Sequence, residues 1–487
     1  PFPTRRASDR ETALEAETAT PGQYRALDFM RANSLLPGAV RAPMDFRCLH
    51  SPKTSIIICV KNAFHALMAS LGALQSNTHS DLQVIVIDTG STDQTRNLER
   101  FARGLVILRP QHRMKHSRLL ALALKEASSK NILLMEAGVQ PFPGAISAAR
   151  LALQDTDISV LGGQILNLDG SVAEAGAILW RNGNLTRYGQ GMKAGAPEIA
   201  FRRDVSTFTS GMLFCDASRL AECAPNADKF RTSDARYAAL CLMMAGNEGR
   251  IVYDPSVLAR SPVQSASDEF KKSEDRAVIR QMFAGSRSRQ PLTNTPLMKA
   301  RDASGRPTVL ILCEDIPRLE RGGQAQRALS LITALDSDGY QVTVCPLNGG
   351  DGDRILNALD FPPTVEIMSH SNLGTLGSFL EDRPSCFSSV WILGTRTLQR
   401  SSPLLEQYAA CLPERGIILD TNQLHSLEEH HRRLVGCNND EVKLLADTAG
   451  ELSAAWICQS IVASNDEESD VLRRLGYTHV HVLGHSL

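Results

Sequence analysis

Two apolar runs, SIIICV at 55–60 and LQVIVID at 82–88, constrain this chain more than any other feature. Neither alternates polar with apolar residues, so each reads as a strand covered on both faces. A helical stretch at 66–74 separates them. TGSTDQT and a helix through Phe101 follow, then a third run, LVILRP at 105–110, a helix at 117–127 and a fourth run, NILLME at 131–136. Strand and helix in alternation, with two-sided strands, predict an α/β fold on a mostly parallel sheet.

From Val160 to about Pro262 the strands shorten and glycines punctuate the chain, which reads as the irregular second half of the same domain. Residues 267–296 are charged and helical at first, then rich in Ser, Arg and Pro, as a linker would be. A new strand–loop–helix unit opens at Pro307 with TVLILCED, followed by a Gly-Gly loop and an amphipathic helix. Further strands are expected at 390–393, 416–420, 460–463 and 479–483. With 487 residues the chain has room for several cores. The expected organisation is a polar, disordered lead-in with a short helix at 23–44 (1–50), a first domain (51–265), a helical and flexible linker (266–305) and a second domain (306–487).

Composition excludes more than it selects. A net charge of -1 gives no bulk attraction to nucleic acid or anionic lipid. No apolar run reaches the roughly 18 residues of a membrane helix, so no transmembrane segment is expected. The 11 cysteines are scattered without a CxxC pair, as reduced thiols would be. Together these features predict a cytoplasmic protein, or one peripheral at the inner membrane face.

Five segments carry a specific pattern in order: TSIIICVKN, VIDTGSTDQT, LLMEAGVQPFPG, GGQILNLDGSVAEAGAILWRNGNLTRYGQG and TSGMLF. Together they resemble the family 2 glycosyltransferases, which have a GT-A, Rossmann-like fold. In the second half, VLILCEDIP, GGQAQRALSLITAL, GYQVTVCPLN, IILDTNQLHSLEEHHRR and SIVASNDEESDVL resemble the N-terminal lobe of family 4, GT-B glycosyltransferases. The donor lobe that follows in that family is missing from this sequence.

The resemblance implies a nucleotide-sugar donor, a glycan or lipid-linked acceptor, and a role in polysaccharide biosynthesis. Such a transfer needs three things: a held nucleoside, a neutralised diphosphate and a base for the acceptor proton. For the first, Asp88 stands at a strand end with Ser91 and Asp93 in the turn beyond. Asp88 and Asp93 read either as nucleotide contacts or as caps of the turn and the next helix. Lys61 reads either as a phosphate contact or as a solvated loop residue. For the second, the resemblance implies a divalent cation, Mn or Mg. Glu136 holds the one carboxylate ahead of the PFPG turn, and Gly138 replaces a ligand.

For the third, the acidic cluster of the family reads Arg236, Tyr237, Ala238 and Ala239 here, and the nearest carboxylate is Asp234. It is either the base or a helix-start residue. Glu174, Trp180 and Tyr188 lie in two glycine-bearing hairpins; the aromatic rings read either as sugar-stacking faces or as packing on the sheet. Two functions follow. One is an active transferase. The other is a pseudoenzyme, a binding or scaffold module beside another glycosyltransferase, with a fragment of a larger transferase as a third possibility.

Overall fold

The computed structural model describes residues 42–48, 50–77, 81–261, 274–283, 285, 290–349, 361–414, 416–434 and 441–484. Of the helix expected at 23–44 only the last residues fall among these, and Met44 there pairs with Ala102 in a two-stranded parallel ribbon. The chain forms two compact units. The first runs to Thr295 and takes in Ala300–Ser304; the second takes in Pro296–Lys299 and the chain from Gly305.

The first unit is built on β1 (Thr54–Val60), β2 (Leu82–Asp88), β3 (Val106–Leu108), β4 (Asn131–Glu136), β5 (Ile158–Leu166), β6 (Val172–Glu174), β7 (Ala177–Leu179), β8 (Leu185–Arg187), β9 (Arg203–Asp204), β10 (Met212–Asp216) and β11 (Arg250–Arg260). The main sheet runs β9-β11-β5-β10-β4-β1-β2-β3, with β6 on β5. β1, β2, β3 and β4 are parallel neighbours, and β10 is antiparallel to both β4 and β5. The two opening runs therefore lie side by side over seven residue pairs, from Thr54 beside Leu82 to Val60 beside Asp88.

Helices α1 (Phe64–Ser76), α2 (His116–Glu126), α3 (Ala145–Ala152), α4 (Ala217–Ala227) and α5 (Ser233–Ala245) cover the sheet. Ile56, Ile58, Leu67, Leu71, Val84 and Leu133 are fully buried in its main core. The helix expected through Phe101 is instead a 3-10 stretch, Gln94–Arg100, broken at Asn97 by non-helical backbone angles. At Gly163 a Cβ would lie 1.6 Å from the Val257 carbonyl oxygen, so only glycine lets β11 bulge against β5 there.

Helix α6 (Asp275–Met282) lies in the stretch read as linker, and it packs on the first unit: Ile279 joins Leu179, Phe230, Ala235 and Ala239 in one cluster. Its Asp275 is 1% exposed and accepts hydrogen bonds from the Arg231 and Thr232 amides and the Thr232 hydroxyl, at 2.9, 2.8 and 2.7 Å. Those groups stand just ahead of α5.

The second unit holds β12 (Thr308–Cys313), β13 (Gln341–Pro346), β14 (Glu366–Ile367), β15 (Ser389–Leu393), β16 (Ile417–Asp420), β17 (Ser460–Ala463) and β18 (Val480–Val482). They form one parallel sheet in the order β14-β13-β12-β15-β16-β17-β18. The order reverses between β12 and β15, as in a doubly wound sheet. Helix α7 (Gly323–Ser337) follows Gly322, whose φ is 89°. Its Arg327 forms a buried two-toothed pair with Asp420 and also donates to the Gly484 carbonyl.

Candidate functional site

Parallel pairing sets the ends of β4, β1 and β2 level with one another. Cys59 pairs with Glu136 on one side and with Ile87 on the other. At this edge a cavity of about 370 Å³ is lined by Lys61, Glu136, Glu174, Arg187, Asp234 and Ser261, among others. Ligands of parallel α/β sheets bind at the carboxyl ends of strands, where this cavity lies.

Its polar wall is organised around a guanidinium. Arg187, at the end of β8, donates to Asp234 at 3.0 Å and to the Thr209 hydroxyl at 2.7 Å, and stands 3.5 Å from Glu174. The Thr209 amide and hydroxyl both donate to Glu174, at 2.9 and 2.7 Å. Burial pushes the Glu174 carboxyl up, against the opposing pull of Arg187 and Thr209. Asp234 sits in the first turn of α5, whose start is capped by the Thr232 hydroxyl.

Across the cavity Glu136 is pushed up to about 7, chiefly by loss of water, with the hydroxyl of Tyr237 acting in the opposite sense. A Cβ on Gly211 would stand 2.2 Å from Glu136 Cγ and 2.9 Å from the Tyr237 hydroxyl. Glycine at 211 is therefore what lets these two side chains meet.

Four of the residues singled out from the sequence thus converge: Lys61, Glu136, Glu174 and Asp234. Asp88, Ser91 and Asp93 form the adjoining loop and do not line the cavity. Asp88 is 3% exposed, accepts the Ser91 amide at 2.8 Å and lies 3.5 Å from Arg109. The Ser91 hydroxyl accepts the Asn62 amide, and Asp93 accepts the amides of Phe64 and Thr95. These bonds lace the loops after β1 and β2 together, and Asp93 supplies the cap that α1 lacks in its own N-cap residue.

The aromatic pair lies elsewhere. Trp180 is half-buried and donates from its indole to the Thr186 hydroxyl of its own hairpin. Tyr188 is 2% exposed, with the guanidinium groups of Arg203 and Arg301 at 4.9 and 5.8 Å from its ring. Of the two readings of Tyr188, the buried ring matches packing and not an open stacking face: Ala300–Ser304 folds back on the first unit, and Arg301 donates to the Tyr188 hydroxyl.

Arg187, Thr209 and Tyr237 were not singled out as site residues from the sequence. Arg187 stands in the hairpin segment that carries Glu174 and Tyr188, but nothing local shows that it reaches Asp234 across 47 positions. Tyr237 reads as a lost carboxylate until its hydroxyl is placed beside Glu136.

The residues present do not fit a resident divalent cation. Hard cations take several oxygen ligands. Gly138 has no side chain, and its amide donates to the Ser70 hydroxyl at 2.8 Å. Asp234 is paired with Arg187, and Glu136 has Tyr237 beside it. Among the described residues no group of three His, Cys, Asp or Glu gathers to hold a metal.

The second unit has a larger cavity, about 990 Å³, at its strand-order reversal, lined by Glu314, Thr395, Asn422, His425, Asp447 and Glu451, among others. Several of its carboxylates have structural duties. Glu451 accepts Thr395 and the His425 and Ser426 amides, and Asp447 pairs with Arg433. The smaller cavity is the one that gathers the residues singled out for transfer chemistry. Among the described residues no helix is long and apolar enough to cross a membrane.

In sequence, residues 55–204 match the family model described as "Glycosyl transferase family 2". No curated protein matches the chain. Similar solved structures include GalNAc-T7 with UDP, GalNAc and Mn2+, 12% identical, TM-score 0.35, covering 44% of this chain and 44% of that one. The mannosyltransferase PcManGT from Pyrobaculum calidifontis with GDP-Man and Mn2+ is 15% identical, TM-score 0.33, covering 60% and 79%. S. aureus TarS 1-349 is 15% identical, TM-score 0.32, covering 47% and 64%. The chain thus spans less than half of GalNAc-T7 and under two thirds of the TarS fragment. Likeness at this level leaves substrate and mechanism to the chain's own residues.

Proposed function

Residues 55–204 form a family 2 glycosyltransferase domain, and from that premise we propose that the first unit binds a nucleotide-sugar donor at its strand-end cavity and transfers the sugar. The acceptor is a hydroxyl of a glycan or lipid-linked glycan, in polysaccharide biosynthesis. A lipid-linked acceptor would hold the protein at the inner face of the membrane as a peripheral, cytoplasmic enzyme. The observation that carries this reading is the convergence of Lys61, Glu136, Glu174, Arg187 and Asp234 on one cavity at the ends of parallel strands.

The reaction breaks the bond from the anomeric carbon to the phosphate oxygen and forms one to the acceptor oxygen. The acceptor's proton passes to a base, and a nucleoside diphosphate leaves. We assign the base to Asp234, in the first turn of α5. Lys61 and Arg187 are the cations available to the departing diphosphate. We assign the nucleoside side to the adjoining loop of Asp88, Ser91 and Asp93, which does not itself line the cavity. The second unit, with its single parallel sheet, is consistent with a GT-B acceptor lobe.

The test is a panel of UDP-, GDP-, ADP- and dTDP-linked sugars offered with oligosaccharide and lipid-linked acceptors, reading released nucleoside diphosphate. Asp234→Asn should lower turnover by about 10²-fold or more while leaving the donor-induced rise in melting temperature in place. If no donor in the panel either binds or turns over, the reading fails.

A second reading, a pseudoenzyme that holds a nucleotide sugar or scaffolds another glycosyltransferase, is favoured by the pairing of Asp234 with Arg187 at 3.0 Å. A carboxylate held by a guanidinium is a weak base. Binding of a donor without turnover from any member of the panel would select it.

A further inference from the structure

We infer that Arg187 stands in for a divalent cation, so that the first unit takes a nucleoside diphosphate without metal. The inference deepens the donor-binding reading above and rests on it. Three observations lead there. The position two residues after Glu136 is Gly138, whose only polar groups are backbone, and its amide is spent on Ser70. The cavity's other two carboxylates, Glu174 and Asp234, converge on a guanidinium, within 3.5 and 3.0 Å of it. The Arg187 side chain is 8% exposed, locked by the Thr209 hydroxyl, and still lines the cavity.

A cation bridging Glu174 and Asp234 would have to occupy the place the guanidinium holds. The guanidinium supplies part of what a metal supplies to a leaving diphosphate: positive charge at a fixed point, shared with Glu174 and Asp234, on a planar group whose geometry suits phosphate oxygens. It does so without dissociating. Lys61 is the second cation of the wall. It is exposed and forms no ion pair among the described residues. A diphosphate entering the cavity would meet these two side chains and no open set of oxygen ligands.

The experiment measures the affinity of UDP, GDP, ADP and CDP for the full chain by calorimetry, once with EDTA and once with MnCl2. Wild type needs no substitution for the first comparison, so folding of a variant is not at issue. The expected result is that at least one nucleoside diphosphate binds with the same Kd in both buffers, within about threefold, about 0.7 kcal/mol. Arg187→Gln should weaken that binding by about tenfold or more, with Arg187→Lys between the two. Circular dichroism and the melting temperature identify folded variants.

Binding that appears only with manganese would overturn the inference and leave the donor-binding reading standing. Metal-free binding that a folded Arg187→Gln protein retains in full would overturn the role of Arg187. Failure of every nucleoside diphosphate to bind in either buffer would remove the donor-binding reading and the inference with it.

Discussion

Glu136→Gln replaces a strained charge with a neutral side chain of the same shape. Folding places the carboxyl where its proton is held up to about 7, against an ordinary 4.5, chiefly through loss of water. Each tenfold change in proton affinity is worth about 1.4 kcal/mol, so the displacement corresponds to about 3 kcal/mol. That is a ceiling, because the group touches the cavity. The sign follows from which state holds the proton. Between about pH 4.5 and 7 the folded chain keeps the Glu136 proton that the unfolded chain has released, so stability falls as pH rises through that window. Glutamine has no proton to lose.

The gap between variant and wild type should therefore widen in favour of the variant by up to about 3 kcal/mol from below about pH 4.5 to above about pH 7.5. Urea melts across that range provide the measurement. Of the three tryptophans, Trp180 lies in the first unit, while Trp391 and Trp456 lie in the second. A background with Trp391→Phe and Trp456→Phe makes the fluorescence report the first unit alone. A gap that stays constant within about 0.5 kcal/mol over the whole range, the usual scatter of neutral substitutions, would refute the reasoning about Glu136.

Two further outcomes follow from buried carboxylates. Asp275→Ala strips partners from two amides and a hydroxyl ahead of α5; the Trp180 melt should lose about 2–4 kcal/mol, and proteolysis should reach the α6 segment sooner. Asp420→Asn leaves the buried Arg327 without its counter-charge; urea unfolding of the second unit, followed through Trp391, should lose about 3–5 kcal/mol.

The strands were legible because their apolar runs are unbroken. LQVIVID, NILLME and SIVA each became a strand with the bounds read from sequence. The alternation between them was enough to place Glu136, Lys61 and Asp88 at one edge, since parallel strands present their carboxyl ends together. The edge strand Glu366–Ile367 was not anticipated; two residues carry no periodicity. Within the site, Glu174, Asp234 and Glu136 could be named as acids, but not their partners. Arg187 meets Asp234 only because β8 and α5 come together in the folded unit, and pairings of that range have no signature in a local window. Tyr188 was legible only as a choice between an open face and packing. An aromatic ring between glycines suggests an accessible face, and the covering Arg301 lies over a hundred positions away.

Asp275 has a consequence for how this domain can be inherited. The family match ends at Asp204 and the main sheet's last strand at Arg260, yet the carboxylate that steadies the entrance to α5 belongs to later chain. A recombination that transplanted only the matched region would carry Arg187 without Asp234, and one cut at Ser261 would carry both and abandon the anchor ahead of α5. The first unit as folded extends to Ser304, where the returning strap with Arg301 closes over Tyr188.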